Sequence, residues 1–220
     1  MNHCNALVTA LLALALLAAG PATSAPATTP LQAVGDAVAG KKKSLDERCQ
    51  ECHGFDGNSN DIGDGVANEG KFPKLAGQHV DYIVKQVRDF RSGVRHNDTM
   101  AVMARSVAEE DVRDIAVYFS SQTRQRERSG GNPVGKALFE NGDGGRAIPP
   151  CAGCHGEHGE GLAAAGNPAI GGQHKRYLKT QLFEWKSGDR GNSPGGIMNS
   201  NAKARADGEI EALADYVSGL

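Results

Sequence analysis

The sequence predicts an all-α protein made of two tandem copies of one small domain. Three observations carry that expectation: apolar stripes at helical spacing, an ordered set of parts that occurs twice, and a Cys-x-x-Cys-His motif in each copy. After the first motif comes Phe72-Pro73-Lys74-Leu75-Ala76-Gly77-Gln78-His79; after the second comes Asn167-Pro168-Ala169-Ile170-Gly171-Gly172-Gln173-His174. Tyr82 to Gly93 then matches Tyr177 to Gly188, and Asp111 to Tyr118 matches Glu209 to Tyr216. No segment shows a convincing alternation of strand period.

The elements follow in order. An opening helix is expected around Gly40 and again over Gly135 to Glu140, just before each motif. A glycine there lets the opening helix cross a closing helix closely. Val80, Ile83, Val84, Val87 and Phe90 form one helical stripe, matched by Leu178, Leu182 and Trp185, and Gly93 and Gly188 stop these helices. Closing helices are expected over Val112 to Ser120 and Ile210 to Val217. The domain boundaries that result are 31–123 and 134–220, joined by a polar linker, 124–133, that contains Arg124, Arg126, Arg128 and Gly130-Gly131.

Ahead of the repeats, the apolar stretch from Ala6 to Ala19 and the small residues up to Ala25 read as a secretory signal peptide, 1–25, cleaved after Ala25. The stretch is short for a membrane span, and no later one approaches 18 apolar residues. The mature chain is therefore expected to have no transmembrane segment, which leaves peripheral association open. The start, Met1-Asn2-His3-Cys4-Asn5, has no Lys or Arg, so a weak signal retained as an anchor stays open as well. Cys4 falls in this segment and is given no role. The other four cysteines all lie in the two motifs, and none remains for a structural disulfide.

The mature chain is long enough for two domains of about 100 residues each. Aromatics make up only 5% of the chain and glycines number 29, so side chains alone would form a thin core. Residues 31–130 carry 15 basic and 16 acidic groups, and 131–220 carry 9 and 10. Neither half has a basic footprint, which excludes nucleic acid as an expected partner.

Cys-x-x-Cys-His is the attachment signature of c-type haem. The thiols of Cys49 and Cys52, and of Cys151 and Cys154, can each form a thioether to one edge of a porphyrin. The adjacent His53 or His155 then reaches the iron as proximal ligand. Two haem c groups are expected, and each would supply its domain with the missing apolar bulk. Export agrees with this chemistry, which places the protein in the periplasm.

A second axial ligand closes the iron and favours electron transfer, and methionine raises the potential. Met100 stands 12 residues before Val112, and Met198 stands 12 before Ile210; Met103 aligns with Asn201, which cannot ligate in the same way. Met100 and Met198 are thus the expected sixth ligands, with Met103 as the fallback. Pro73 and Pro168 are placed to present a carbonyl to the other ring nitrogen of each histidine. His79 and His174 suit a hydrogen bond at a helix start or between domains. Arg91, Arg95, Lys186 and Arg190 are candidates to neutralise haem propionates, set against the plainer reading of solvated charge.

On both haem motifs, the segment 72–78, Asp89-Phe90-Arg91-Ser92-Gly93 and Tyr118-Phe119-Ser120-Ser121-Gln122, the chain resembles the cytochrome c4 family over roughly Gly35 to Leu220. The resemblance implies two tandem class I cytochrome c domains, each wrapped round one covalently attached haem. It also implies His53 with Met100 and His155 with Met198 as axial pairs, haem edges near the domain interface, and single electrons passed from an upstream donor to a terminal oxidase. Asn-Pro-Ala-Ile in the second repeat, the long acidic stretch from Gly57 to Gly70 and the glycine-rich approach to Met198 depart from the family pattern. No catalytic residue is expected. A tightly held subunit of an oxidase or dehydrogenase complex, in place of a diffusing shuttle, stays open, and two other readings stand beside these. The first is a dihaem oxidoreductase of peroxidase or sulfur-compound dehydrogenase type, with one haem opened by a loose Met198 loop. The second is a zinc protein, which has only three local ligands at each motif.

Overall fold

The structure, a computed structural model, describes residues 34–59, 61–62, 66–67, 70–128 and 131–220. The expected signal peptide and Cys4 lie outside the described residues. Among the described residues the same order of five α-helices occurs in each half, with three short 3-10 turns added in the second. The first half holds α1 (Ala37–Asp46), α2 (Gln50–His53), α3 (Val80–Ser92), α4 (Asp98–Ser106) and α5 (Glu109–Ser120). The second holds α6 (Pro133–Asn141), α7 (Ala152–His155), α8 (Lys175–Ser187), α9 (Ile197–Lys203) and α10 (Asp207–Ser218). One small antiparallel pair, β1 (Asp61–Ile62) with β2 (Val66–Ala67), lies within the stretch that departs from the family pattern.

Local chemistry accounts for the helix ends. The Asp36 carboxylate accepts from the amides of Val38 and Ala39 to start α1, and Asn132 does the same for Val134 and Gly135 ahead of Pro133. Gly93 and Gly188 end α3 and α8 in the left-handed region, at φ 80° and 93°. The closing helices begin one turn earlier than the apolar pattern predicts. Their first turns, with Glu109, Glu110 and Asp111 or with Asp207 and Glu209, are polar and stabilised by the helix dipole, so no apolar stripe marks them.

The core of each half is the crossing of opening and closing helices, with the long helix packed across them. Ile83, Val84, Val112, Ile115, Tyr118 and Phe119 form one apolar cluster; Leu138, Phe139, Leu178, Leu213 and Val217 form the other. Cys49 packs against the first cluster and Cys151 against the second, so both attachment sites border the cores. The expected role of the opening-helix glycines is met with little room to spare. A Cβ on Gly40 would lie 1.9 Å from the Asp114 carbonyl oxygen, and one on Gly135 would lie 2.0 Å from that of Ala212. Gly40→Ala or Gly135→Ala has to separate two backbones. We expect a loss of about 1–3 kcal/mol, the usual cost of overpacking, read as a lower denaturation midpoint in the haem-loaded protein.

The two halves meet through buried, mutually mirrored hydrogen bonds. The Lys74 amide donates to Gln173 Oε1 at 2.8 Å, and Gln173 Nε2 donates back to the Lys74 carbonyl at 2.9 Å. Gln78 makes the corresponding pair with the carbonyl and amide of Ala169. The connecting segment is pinned to both halves: Gln125 N–H donates to Asn58 Oδ1, Arg124 Nε to the Ala76 carbonyl and Glu127 N–H to the Ser218 carbonyl. Over 124–128 the polar composition reflects these bonds.

Candidate functional site

The two Cys-x-x-Cys-His motifs fold alike. Each forms a single helical turn that ends on its histidine and is closed by a glycine, Gly54 or Gly156. This turn brings both thiols and the imidazole to one side of a short element that borders the core. His53 is 7% exposed and His155 8%. His53 Nδ1 lies 2.9 Å from the Pro73 carbonyl oxygen, and His155 Nδ1 lies 2.9 Å from that of Pro168. A carbonyl can only accept, so Nδ1 carries the proton and Nε2 keeps its lone pair for a metal. Burial lowers the pKa of both histidines, against the opposing pull of the proline carbonyls. The imidazole is thus held neutral, in the tautomer that ligates iron.

All four motif cysteines are free of disulfides. Burial, with Glu47 adding to it, pushes the Cys49 thiol up to about 11, and burial also raises Cys52 and Cys151. Among the described residues no three His, Cys, Asp or Glu side chains converge to hold a bare metal ion.

The methionines lie on the paired short helices. Met100 is half-buried in the first turn of α4, its amide donating to the Asn97 cap at 3.0 Å. Met198 is half-buried in α9, its amide donating to Ser193 Oγ at 3.2 Å. The helix that follows the glycine-rich turn is anchored: Asn199 Nδ2 donates to the carbonyls of Trp185 and Arg190 at 2.9 and 2.7 Å. Buried Ala104 and Ala202 follow Met100 and Met198 at the same spacing, so these two are equivalent positions. Asn201, which corresponds to Met103, is engaged by Arg205.

The four cationic candidates for propionates divide. Arg91 donates to the carbonyls of Ala104 and Val107 and pairs with Glu109, while Lys186 donates to the Arg205 carbonyl and pairs with Asp207. These two latch the long helix to the start of the closing helix. Arg95 and Arg190 instead lie buried in the domain interface, 7% and 5% exposed, and form an antiparallel bridge with each other. Arg95 donates to Gln86, Tyr177 and Gln181; Arg190 donates to Gln181, Tyr82, Gln86 and Asn192. Each guanidinium also covers an aromatic ring, Phe90 at 4.5 Å and Trp185 at 4.3 Å. Their hydrogen-bond partners are all neutral. Burial acts to raise the Tyr177 phenol, but the two guanidiniums outweigh it and hold the pKa low. The two guanidiniums thus gather positive charge in the interface, with the Glu184 carboxylate among the charges acting on Arg95.

Sequence reasoning did not assign roles to Tyr82, Gln86, Tyr177 and Gln181. The available signal was their recurrence at matched positions beside the apolar stripes. His174 bridges Glu127 Oε1 at 2.7 Å and the Asn58 carbonyl at 3.1 Å, the interdomain hydrogen-bonding role expected of it. His79 differs, since its Nε2 is buried without a partner.

The cytochrome c family model matches the chain twice, over residues 37–123 and 134–220. Cytochrome c4 of Pseudomonas aeruginosa is 39% identical over 191 residues, covering 86% of this chain and 90% of that one. The thiosulfate dehydrogenase electron acceptor of Stutzerimonas stutzeri is 36% identical over 180 residues, 78% of each chain. The crystal structure of reduced recombinant cytochrome c4 from Pseudomonas stutzeri superposes with a TM-score of 0.77 at 36% identity, covering 84% of this chain and 99% of that one. Repeated histidine sites, a shared two-domain architecture and these relatives agree: the chain belongs to the cytochrome c4 family, electron-transfer proteins of two tandem cytochrome c domains with two covalently bound haem c groups.

Proposed function

We propose that this dihaem electron carrier works in the periplasm and passes single electrons from an upstream donor to a terminal oxidase. In this reading Cys49, Cys52, Cys151 and Cys154 hold the haems through thioethers. His53 with Met100 and His155 with Met198 are the axial pairs. Each bound haem supplies an iron that alternates between ferric and ferrous states. The chain's own residues do the rest. Pro73 and Pro168 fix the histidine rings, the Asn97 cap and the Ser193–Asn199 anchors hold the methionine helices, and the Arg95–Arg190 bridge places positive charge between the domains.

The observation that carries the reading is the duplicated His–proline carbonyl bond, 2.9 Å in both halves, which prepares two identical neutral imidazoles. The oxidoreductase alternative needed a loose Met198 loop, and the Asn199 and Ser193 bonds work against that. The relatives named as thiosulfate dehydrogenase electron acceptors support a second donor, an enzyme oxidising a reduced sulfur compound. No helix among the described residues is long and apolar enough to cross a membrane.

The test uses the matured protein. Two haems per chain, a far-red methionine-to-iron band of two-site intensity and no carbon monoxide binding are expected, together with recovery in the periplasmic fraction. Reduced protein should be reoxidised by a solubilised terminal oxidase in air. Failure of that step, with rapid reduction by a thiosulfate-oxidising dehydrogenase, would move the assignment to sulfur oxidation.

A further inference from the structure

The halves mirror each other at most buried positions, and two of the differences are in charge: Lys74 stands where the second half has Ala169, with its ammonium on the Gln125 and Gly172 carbonyls, and Arg205 stands where the first half has Val107. The residue before the Ala108 cap of α5 is Val107, which packs half-buried against the core that includes Cys49. The residue before the Ala206 cap of α10 is Arg205. Arg205 is 2% exposed and heads the fully buried side chains by volume. Its Nε donates to Asn201 Oδ1 at 3.1 Å, and its Nη2 lies 3.4 Å from the Pro149 carbonyl and 4.0 Å from Cys151 Sγ. Its Nη1 has no hydrogen-bond partner. Glu209, the nearby carboxylate, hydrogen-bonds Arg146 and interacts with Arg205 only through space.

We infer that Arg205 tunes the C-terminal redox centre: its buried positive charge beside Cys151 raises the reduction potential of the haem held there above what an apolar residue would give. The inference rests on the attachment of that haem through Cys151 and Cys154. Reduction adds one electron to ferric iron, and the centre loses one unit of positive charge. A fixed cation in a poorly solvated site disfavours the ferric form and so favours uptake of that electron. An arginine keeps its proton throughout, so the effect needs no coupled proton transfer. Val107 carries no such charge, so the effect falls on one haem of the two.

The experiment is a redox titration of the full haem-loaded protein, with haem-methyl NMR signals reporting the two haems separately. Haem content is measured first. Fewer than two haems in the wild type would overturn the attachment reading and this inference with it. With two haems present, Arg205→Leu and Arg205→Gln should each lower the C-terminal potential, leave the N-terminal one in place and keep the methionine band. Arg205→Lys, which retains the charge, should stay near the wild type. An unchanged C-terminal potential in the neutral variants, an equal fall at both haems, or a fall in Arg205→Lys matching that in Arg205→Leu would overturn the assignment. The converse change, Val107→Arg, should raise the N-terminal potential and reads the same effect where the neutral variants fail to mature; a fall or no change there counts against it.

Discussion

His53→Ala or His155→Ala is expected to take haem content from two per chain toward one and to unfold the altered half. The haem fills the space that a side-chain core with 5% aromatics leaves thin. In the proposed ligation the ring would keep its thioethers and the methionine but lose its histidine, and the carbonyl of Pro73 or Pro168 loses its donor. An unsatisfied buried carbonyl costs about 1–3 kcal/mol, and the lost burial of the ring adds to it. The damage should reach the other half, because the Lys74–Gln173 and Gln78–Ala169 bonds are shared between them. Haem quantification per chain and protease sensitivity check this. A stable variant with two haems would remove the histidine from its structural role.

The second large effect is on the iron and leaves the fold intact. Met100→Ala or Met198→Ala should keep both haems attached and open one of them to carbon monoxide. The potential of that haem should fall by on the order of 0.1 V or more, within the ~0.8 V range that axial ligands span. Both methionines are only half-buried, and their helices are held by neighbouring residues, so little stability is lost. Met103→Ala should leave the spectrum unchanged. If Met103→Ala opens the first haem and Met100→Ala does not, the ligand role passes to Met103.

The pairing of each histidine with a proline carbonyl was readable in the residues themselves. Motif spacing is local chemistry, so Cys49, Cys52 and His53 and their counterparts could be placed by inspection. The repeat then located Pro73 and Pro168 as the carbonyls behind the histidines, and counting back from the closing helices paired Met100 with Met198. The early turns of α5 and α10 were missed because capping and dipole effects act on polar residues that leave no apolar stripe. Arg91 and Arg95, four residues apart in sequence, look equivalent as charged groups. One latches a helix at the surface, and the other is buried between the domains.

What the sequence determined by itself is the helical character, the duplication and the two attachment motifs, all set by periodicity and short-range spacing. The tertiary structure decided which polar residues are buried. Arg95 meets Arg190, Lys74 meets Gln173 and Arg205 comes to rest beside Cys151 only when the chain has folded. Burial depends on what packs on top of a residue, and desolvation then turns an ordinary surface charge into a field that acts on its neighbours.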